Sequence, residues 1–295
     1  MRVLLAETMG MCFGVRDALA ITQQVTDPKR VTIHGELVHN ETVNDMLSQR
    51  GFHVLREVER SELPDTPAVL LTAHGASRRE KRRLLRAGKK LIDTTCPLVA
   101  RVHGTAALLL REGFHVLVIG RRDHVEVQGI VGDLDSYDIV ESLADVVTYP
   151  HRRLGIIAQT TYTRDTVEKI RMAIETHNPQ AKIRFCDTVC QPTKERQEAL
   201  NRLIPQVDVM IVIGGKNSNN TQKLASRCRE EGVRAHQVQR GSDLLAEWFE
   251  DCEVAGLTAG TSTLDSTIRE VHEELLRIAK ARNAKSLQPT TNAPA

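Results

Sequence analysis

Short apolar runs alternate along this chain with stretches in which apolar residues recur every three or four positions. The runs predict β-strands and the periodic stretches predict amphipathic helices, an alternation typical of α/β proteins with parallel sheets. Seven runs are candidate strands: RVLLA, RVTIHG, AVLLTAHG, HVLVIG, RLGIIAQ, VDVMIVIGG and VAGLTAG. The clearest helical stretches are REKRRLLRAG, RDTVEKIRMAIETH and TIREVHEELLRIAKAR.

The pattern repeats around three cysteines. Cys12, Cys96 and Cys190 each follow an apolar run and precede a helical stretch, and they lie 84 and 94 residues apart. A second pair of similar segments, AQTTYTRDT and AGTSTLDST, follows two later candidate strands. Because each interval has the size of a small domain, we predict three similar α/β units around a common centre, each contributing one cysteine.

The predicted domain boundaries follow from this repeat. The first unit covers residues 1–96, with the N-terminal strand and the Cys12 loop at the centre, and the others cover 97–189 and 190–282. Residues 283–295 lack apolar periodicity, so we expect a disordered tail.

Composition narrows the functional class. Of the 295 residues, 41% are hydrophobic and 26% are charged, which is ordinary for a globular protein. With 40 basic and 38 acidic residues, and a basic run (RREKRRLLRAGKK) that lacks interleaved aromatics, no nucleic-acid partner is expected. The apolar run at the N-terminus is too short for a signal peptide or a membrane span, so we expect a cytoplasmic protein without a membrane partner.

Cysteines in a reducing compartment are not expected to form disulfides, which leaves metal binding, catalysis or burial. The junction between a parallel strand and the next helix is where α/β proteins bind ligands. The helix dipole and free backbone amides there favour a thiolate and lower its pKa. Three such thiolates converging on one point could hold an iron–sulfur cluster or zinc.

The spacing of the cysteines favours a cluster over zinc. No C-x-x-C pair occurs, which argues against a zinc ribbon and against a ferredoxin-type cluster. Three distant ligands suggest a cubane with one iron free to bind a substrate oxygen as a Lewis acid. The alternative is three buried structural cysteines, the role that we also predict for Cys186, Cys228 and Cys252.

Polar residues at the same junctions suggest an anionic substrate. Imidazole, hydroxyl and amide groups suit an anion with many oxygens, such as a phosphate or diphosphate. Helix capping explains the hydroxyl residues about equally well. Glu126, two residues after His124, could give or take a proton if burial raised its pKa. The candidates are His39, His74, His124, Glu126, Thr160, Ser218 in GGKNSNNTQ, and Ser262.

Nine motifs in one order resemble the IspH (LytB) family of 4-hydroxy-3-methylbut-2-enyl diphosphate reductases, from about residue 1 to about residue 280. They are GMCFGV, LVHN, AHG, DTTCPLVARVH, HVEVQG, AQTT, DTVCQPTKERQ, KNSNN and TAGTS. The resemblance implies three α/β domains with small parallel sheets in a pseudo-threefold trefoil around a central iron–sulfur cavity. It implies the last step of the non-mevalonate isoprenoid pathway, in which hydroxymethylbutenyl diphosphate is reductively dehydroxylated to isopentenyl and dimethylallyl diphosphates with two electrons.

The resemblance also implies a role for each candidate residue. One 4Fe-4S cluster would be held by Cys12, Cys96 and Cys190, with one iron left for the substrate hydroxyl. Glu126 and Thr160 would bracket that hydroxyl, and Glu126 would supply a proton. A ferredoxin or flavodoxin would donate electrons, since the sequence has no flavin or nicotinamide fingerprint. The diphosphate pocket would comprise His39, His74, His124, Ser218, Asn219, Asn220 and Ser262.

Three positions depart from the family pattern: Val125 and Leu264 stand where proline is common, and Asn219 stands where serine is usual. They affect loop stiffness and substrate affinity rather than the reaction class. Two other functions remain open at this point: a metal-free α/β binding protein for a phosphorylated metabolite, and a non-redox 4Fe-4S hydro-lyase.

Overall fold

The computed structural model of the protein describes residues 1–286, which form twelve β-strands, nine α-helices and several short 3-10 helices. The strands are β1 Arg2–Leu5, β2 Val31–His34, β3 His53–Val54, β4 Ala68–Leu71, β5 Lys90–Asp93, β6 His115–Ile119, β7 Tyr137–Val140, β8 Arg153–Ala158, β9 Lys182–Phe185, β10 Val209–Ile213, β11 Arg234–Val238 and β12 Val254–Ala259. The helices are α1 Phe13–Gln23, α2 Glu41–Gln49, α3 Arg78–Arg86, α4 Pro97–Arg111, α5 Val125–Val131, α6 Arg164–His177, α7 Gln191–Leu203, α8 Asn219–Glu230 and α9 Asp265–Ser286.

The strands form three four-stranded sheets in which all neighbours are parallel. Their strand orders are β3-β2-β4-β5, β7-β6-β8-β9 and β1-β12-β10-β11. The predicted α/β class with three small parallel sheets is therefore confirmed. In a parallel sheet the carboxyl ends of all strands point the same way. The loops that follow these ends carry the candidate residues.

Interior strands are buried at nearly every position because helices cover both faces of the sheet. In β6, Val116 and Val118 share a core cluster with α4 and α5, whereas Leu117 and Ile119 share one with α6. All seven strands named from the sequence are present, and six of them are the interior strands. The five unnamed strands, β3, β5, β7, β9 and β11, lie at sheet edges, where partial exposure admits polar residues and weakens the apolar signal.

One domain assignment was wrong. The N-terminal strand β1 does not join the sheet of the first predicted unit but pairs with β12, with Arg2 opposite Val254 and Leu5 opposite Leu257. The reason is that β12 is buried at every position and takes a neighbour on each side, β10 and β1. The chain divides into two compact units, one from Cys12 to Lys194 and one combining Met1–Met11 with the chain from Glu195 onward. The other domain boundaries stay predictions.

The C-terminal boundary at residue 282 was also placed too early. Helix α9 continues to Ser286, because Arg282 donates hydrogen bonds to the carbonyls of Cys252 and Glu250 at 2.5 and 2.6 Å and fixes the helix end. The rest of the predicted disordered tail, residues 287–295, lies outside the described residues. Within the described range, no helix is both long enough and apolar enough to span a bilayer.

Candidate active site

The three cysteines occupy the predicted junctions. Cys12 and Cys96 are the N-cap residues of α1 and α4, and neither side chain makes a capping hydrogen bond. Cys190 directly precedes α7. All three are free thiols of intermediate exposure within the unit that runs from Cys12 to Lys194. The sulfurs of Cys12 and Cys96 are therefore not used in helix capping, whereas the Sγ of Cys190 lies 3.0 Å from the Oγ1 of Thr193 in the first turn of α7.

Backbone contacts bring the cysteine loops to the other candidate loops. The amide of Cys96 donates to the carbonyl of Ala73 at 3.1 Å, beside His74. The amide of Cys190 donates to the carbonyl of Thr160 at 3.0 Å. A Cβ at Gly14 would lie 2.4 Å from the Sγ of Cys96, so the first turn of α1 passes directly over that thiol. Only glycine permits this approach.

Burial changes the pKa of the Cys96 and Cys190 thiols in the direction opposite to the one predicted from the helix N-termini. Burial, with a smaller contribution from the negative charges of Glu126 and Cys12, raises the pKa of Cys190 to about 11. The pKa of Cys96 is also raised by burial, although amides at the start of α4 lower it. Desolvation thus outweighs the dipole, and a bound cationic metal is what would favour the thiolates. Thr160 links this region to Glu126, because its carbonyl accepts the amide of Cys190 while its own amide donates to the Glu126 carboxylate.

Glu126 lies in the first turn of α5 and is 1% exposed. The amide of Thr160 donates to its Oε1 at 2.7 Å, and the Thr160 hydroxyl donates to its Oε2 at 2.8 Å. Burial raises the pKa of Glu126 to about 7, against the lowering effect of these hydrogen bonds and of His39. A carboxyl group with this pKa can hold or release a proton near neutral pH. Helix capping is the other role predicted for the hydroxyl residues. The structure separates two of them: Thr160 contacts Glu126 and is not the N-cap of the helix that follows it, whereas Ser218 is the N-cap of α8.

Three histidines form a cluster in the same unit. The rings of His39 and His74 stack with centroids 4.3 Å apart, and the ring of His124 stands nearly perpendicular at 5.2 and 5.6 Å. One ring nitrogen from each lies within 4.8 Å of the others. They come from three loops at the carboxyl ends of strands, after β2, β4 and β6.

The protonation of the cluster suits an anion. The pKa of His74 is well below its usual value and that of His124 is lowered to about 3, in both cases mainly by burial. The Nδ1 of His124 accepts the amide hydrogen of Glu126 at 3.1 Å, so its proton is on Nε2. The Nε2 of His74 is buried and has no hydrogen-bond partner in the described part of the chain. The distances between the three ring nitrogens would by themselves allow a metal ion. The Nε2–H of His124, however, is a hydrogen-bond donor, which favours an anion.

The remaining predicted residues lie in the other unit, at the carboxyl ends of β10 and β12. Ser218 caps α8 by accepting the amide of Thr221 at 3.4 Å. Asn219 and Asn220 follow in the first turn, each 2% exposed, and Ser262 is 5% exposed. The side-chain amide of Asn220 has neither its donor nor its acceptor paired within the described residues. An unpaired buried amide costs free energy, so this one is suited to a polar ligand.

Sequence reasoning missed three residues that hold the histidine loops. The Nδ1 of His39 and the Oε2 of Glu36 are 2.8 Å apart. Glu57 accepts the amide of Glu36 at 2.8 Å, and Arg60 lies 3.3 Å from Glu57. Glu36 could have been found from its position three residues before His39. Glu57 and Arg60 could not, because they lie in a distant segment without a motif.

The family model described as LytB protein matches residues 3–276. The chain belongs to this family. Three LytB relatives carry the name 4-hydroxy-3-methylbut-2-enyl diphosphate reductase. That of Methylibium petroleiphilum is 34% identical over 99% of this chain and 91% of its own length. That of Thermoanaerobacter pseudethanolicus is 33% identical over 93% and 96%, and that of Aquifex aeolicus is 31% identical over 96% and 99%.

Two solved structures share the LytB fold. The E-1-hydroxy-2-methyl-but-2-enyl-4-diphosphate reductase of Plasmodium falciparum superposes with a TM-score of 0.84 at 25% identity, covering 92% of this chain and 87% of that one. The (E)-4-hydroxy-3-methyl-but-2-enyl diphosphate reductase described as the terminal enzyme of the non-mevalonate pathway gives a TM-score of 0.65 at 31% identity, covering 94% and 100%. These names favour a reductase over the metal-free binding protein and the hydro-lyase.

Proposed function

We propose that this chain is a 4-hydroxy-3-methylbut-2-enyl diphosphate reductase. It would convert (E)-4-hydroxy-3-methylbut-2-enyl diphosphate to isopentenyl and dimethylallyl diphosphates by a two-electron reductive dehydroxylation. The observation that carries the proposal is the buried Glu126, with a pKa of about 7, held by Thr160, whose carbonyl in turn accepts the amide of Cys190. The test is an anaerobic assay of the reconstituted protein with the authentic substrate and a reduced viologen.

The cofactor proposed for this reaction is one 4Fe-4S cluster held by Cys12, Cys96 and Cys190. Three soft sulfur donors, each at the start of a helix and used in no disulfide, fit such a group, and Gly14, two residues after Cys12, lies against the Sγ of Cys96. When bound, the cluster supplies electrons one at a time and an iron that acts as a Lewis acid toward the substrate hydroxyl. Metal and sulfide analysis tests this part: near-zero iron after reconstitution would favour the metal-free binding protein.

The protein's own residues would manage the proton and the substrate. Thr160 fixes the carboxyl group of Glu126 through two hydrogen bonds, leaving the remaining lone pairs of its oxygens to hold a proton for the departing hydroxyl. His39, His74 and His124 would bind the diphosphate, which holds the carbon–oxygen bond in place for cleavage. Ser218, Asn219, Asn220 and Ser262 keep their role as further diphosphate ligands as a prediction from the sequence.

The electrons are proposed to come from a ferredoxin or flavodoxin. Either protein would deliver single electrons, which suits a cluster that passes them on one at a time. Comparing turnover with each donor at equal reducing equivalents tests the assignment. Turnover without any reductant would favour the hydro-lyase instead.

The rate should fall with rising pH because Glu126 must be protonated to act as an acid. With a pKa raised to about 7, the protonated fraction is high below pH 7 and declines about tenfold per pH unit well above it. We therefore expect log kcat to fall with a slope near −1 on the alkaline side. The measurement is kcat from pH 6 to 9 at saturating substrate and viologen. A flat profile over this range would contradict the role of Glu126 as acid.

Adding one methyl group at Gly14 should disturb the proposed cluster. In Gly14→Ala the new Cβ would lie 2.4 Å from the Sγ of Cys96, so the thiol or the loop has to move. We expect iron content and activity to fall at least several-fold, as happens when metal ligands lose their orientation. Gly104→Ala is the matched control, since its Cβ meets nothing within 4 Å in helix α4. Equal iron content in the two variants would contradict this reasoning.

A further inference from the structure

We infer that diphosphate binding brings one proton to His39, and that Glu36 is the positioning residue that makes this uptake possible. Glu57 and Arg60 hold Glu36 and the neighbouring loop in place. The inference rests on the proposed function, because it takes the histidine cluster as the diphosphate site. It adds a proton stoichiometry and three residues to that site.

The contact between Glu36 and His39 fixes where the first ring proton is. The Oε2 of Glu36 lies 2.8 Å from the Nδ1 of His39, and the side chains are 26% and 11% exposed. An ionised carboxylate can only accept a hydrogen bond, so Nδ1 carries the hydrogen. In a neutral ring the Nε2 atom then carries a lone pair instead of a hydrogen, and this lone pair repels phosphate oxygens. Donation from Nε2 to an anion requires a second proton on the ring.

The other two histidines do not have this requirement. The Nδ1 of His124 accepts the amide of Glu126, so its neutral ring already presents Nε2–H as a donor. The Nε2 of His74 is buried without a partner in the described residues, and a neutral ring can place its single proton there. Within the cluster, His39 is therefore the ring whose donation to an anion depends on an added proton.

Glu36 is itself held by a second carboxylate. The amide of Glu36 donates to the Oε1 of Glu57 at 2.8 Å. Gly35, with φ of +101°, brings the chain so close that a Cβ would lie 2.7 and 2.9 Å from the two Glu57 oxygens. A side chain at this position would displace Glu57. The conformation of Gly35 thus directs Glu36 toward His39.

Arg60 joins the loop of His39 to the loop of His74. Its guanidinium group lies 3.3 Å from the Oε2 of Glu57 and donates to the carbonyl of Gly75 at 3.3 Å. Gly75 directly follows His74, whose ring stacks on His39 at 4.3 Å. The contacts of Arg60 with Glu57 and with the Gly75 carbonyl therefore fix the distance between the rings of His39 and His74. This distance matters because both rings have to contact the same anion.

The surrounding charges link the extra proton to the ligand. A positive charge on His39 opposes charge on His74 and His124, lowering the pKa of both rings, and Arg60 acts on His74 in the same sense. Arg121 and Asp123 act on His124 with opposite signs, and Glu126 is the nearby acid that a charged His39 would stabilise in its ionised form. Glu36 is the carboxylate that lies within hydrogen-bond distance of the His39 ring, at 2.8 Å from Nδ1. A diphosphate adds several negative charges, so the proton should arrive with it.

The experiment is calorimetric titration of the anaerobic holoenzyme at pH 8 with isopentenyl diphosphate, a diphosphate ester that is fully ionised at this pH and brings no proton of its own, in two buffers with different enthalpies of ionisation. The wild type is expected to take up about one proton for each diphosphate bound. In Glu36→Gln the amide oxygen can still accept from Nδ1 but carries no charge, so uptake should fall toward zero. The loss of one charge-assisted hydrogen bond should weaken binding about tenfold.

Two further variants separate positioning from charge. Glu57→Gln should weaken diphosphate binding while the proton uptake persists, because the Glu36 carboxylate remains. Glu62→Gln removes an exposed carboxylate of the same segment and should change neither quantity. Diphosphate binding without proton uptake in the wild type would overturn the inference and leave the proposed function standing. Unchanged uptake in Glu36→Gln would overturn the role of Glu36, and absence of diphosphate binding would count against the inference and the proposed anion site together.

Discussion

Replacing Glu126 with Gln is expected to abolish turnover without loss of iron or of brown colour. The amide has nearly the shape of the acid, and its oxygen can still accept from Thr160, but it has no acidic proton to give to the departing hydroxyl. Loss of a general acid costs about 10²- to 10⁴-fold in rate. The measurement is kcat with the authentic substrate and reduced viologen, alongside iron content and the EPR signal of the reduced protein.

Two companion variants make this result specific. Thr160→Val removes the hydroxyl that donates to Glu126 but keeps the amide contact, so a smaller loss of rate is expected. Glu141→Gln changes an exposed carboxylate in the same unit and should leave the rate unchanged. Full activity in Glu126→Gln would refute the assignment of this residue as the acid.

The second large effect is expected at Cys190. Cys190→Ser should lose most of its iron and all measurable turnover, because two protein sulfurs from separate loops remain where three are proposed. The control is Cys186→Ser, four residues earlier in the same segment and also a free thiol of intermediate exposure. It should keep about four irons per chain.

The paired variants at 190 and 186 distinguish a ligand from a thiol that is only buried. If both lost iron equally, the segment after β9 would be sensitive to any substitution and Cys190 would have no special role. If Cys190→Ser kept its full iron and colour, the three-cysteine set would be wrong. Together with Glu126→Gln, these variants separate loss of the cofactor from loss of the proton.

The interior of each sheet could be predicted from the sequence because its physical signal is local. Strands buried on both faces, such as β6 and β10, are continuous apolar runs that need no knowledge of their neighbours. Edge strands carry a mixed signal, as in β11, which has one exposed, two half-buried and two buried residues. The partner of β1 was beyond local reasoning, since it depends on a strand about 250 residues later in the chain.

The candidate site, like the sheets, has features that a local sequence signal predicts and features that depend on distant segments. Cys12, Cys96 and Cys190 could be chosen because a strand-to-helix junction is visible in the sequence. The direction of the pKa shifts of Cys96 and Cys190 could not be predicted, because burial depends on the packing of distant segments and outweighs the effect of the helix terminus. The role of Glu57 could not be predicted for a related reason, because its partner Glu36 lies 21 residues away along the chain.

The pairing of β1 with β12 has a consequence for the order in which the nascent chain can fold. The first strand leaves the ribosome at once, but its partner follows about 250 residues later, on the order of tens of seconds at ordinary rates of synthesis. The segment from Cys12 to Lys194, with all three proposed cluster ligands, is complete well before β12 is made. We therefore expect the three cysteine loops to reach their folded positions while the protein is still being synthesised, before β1 can pair with β12.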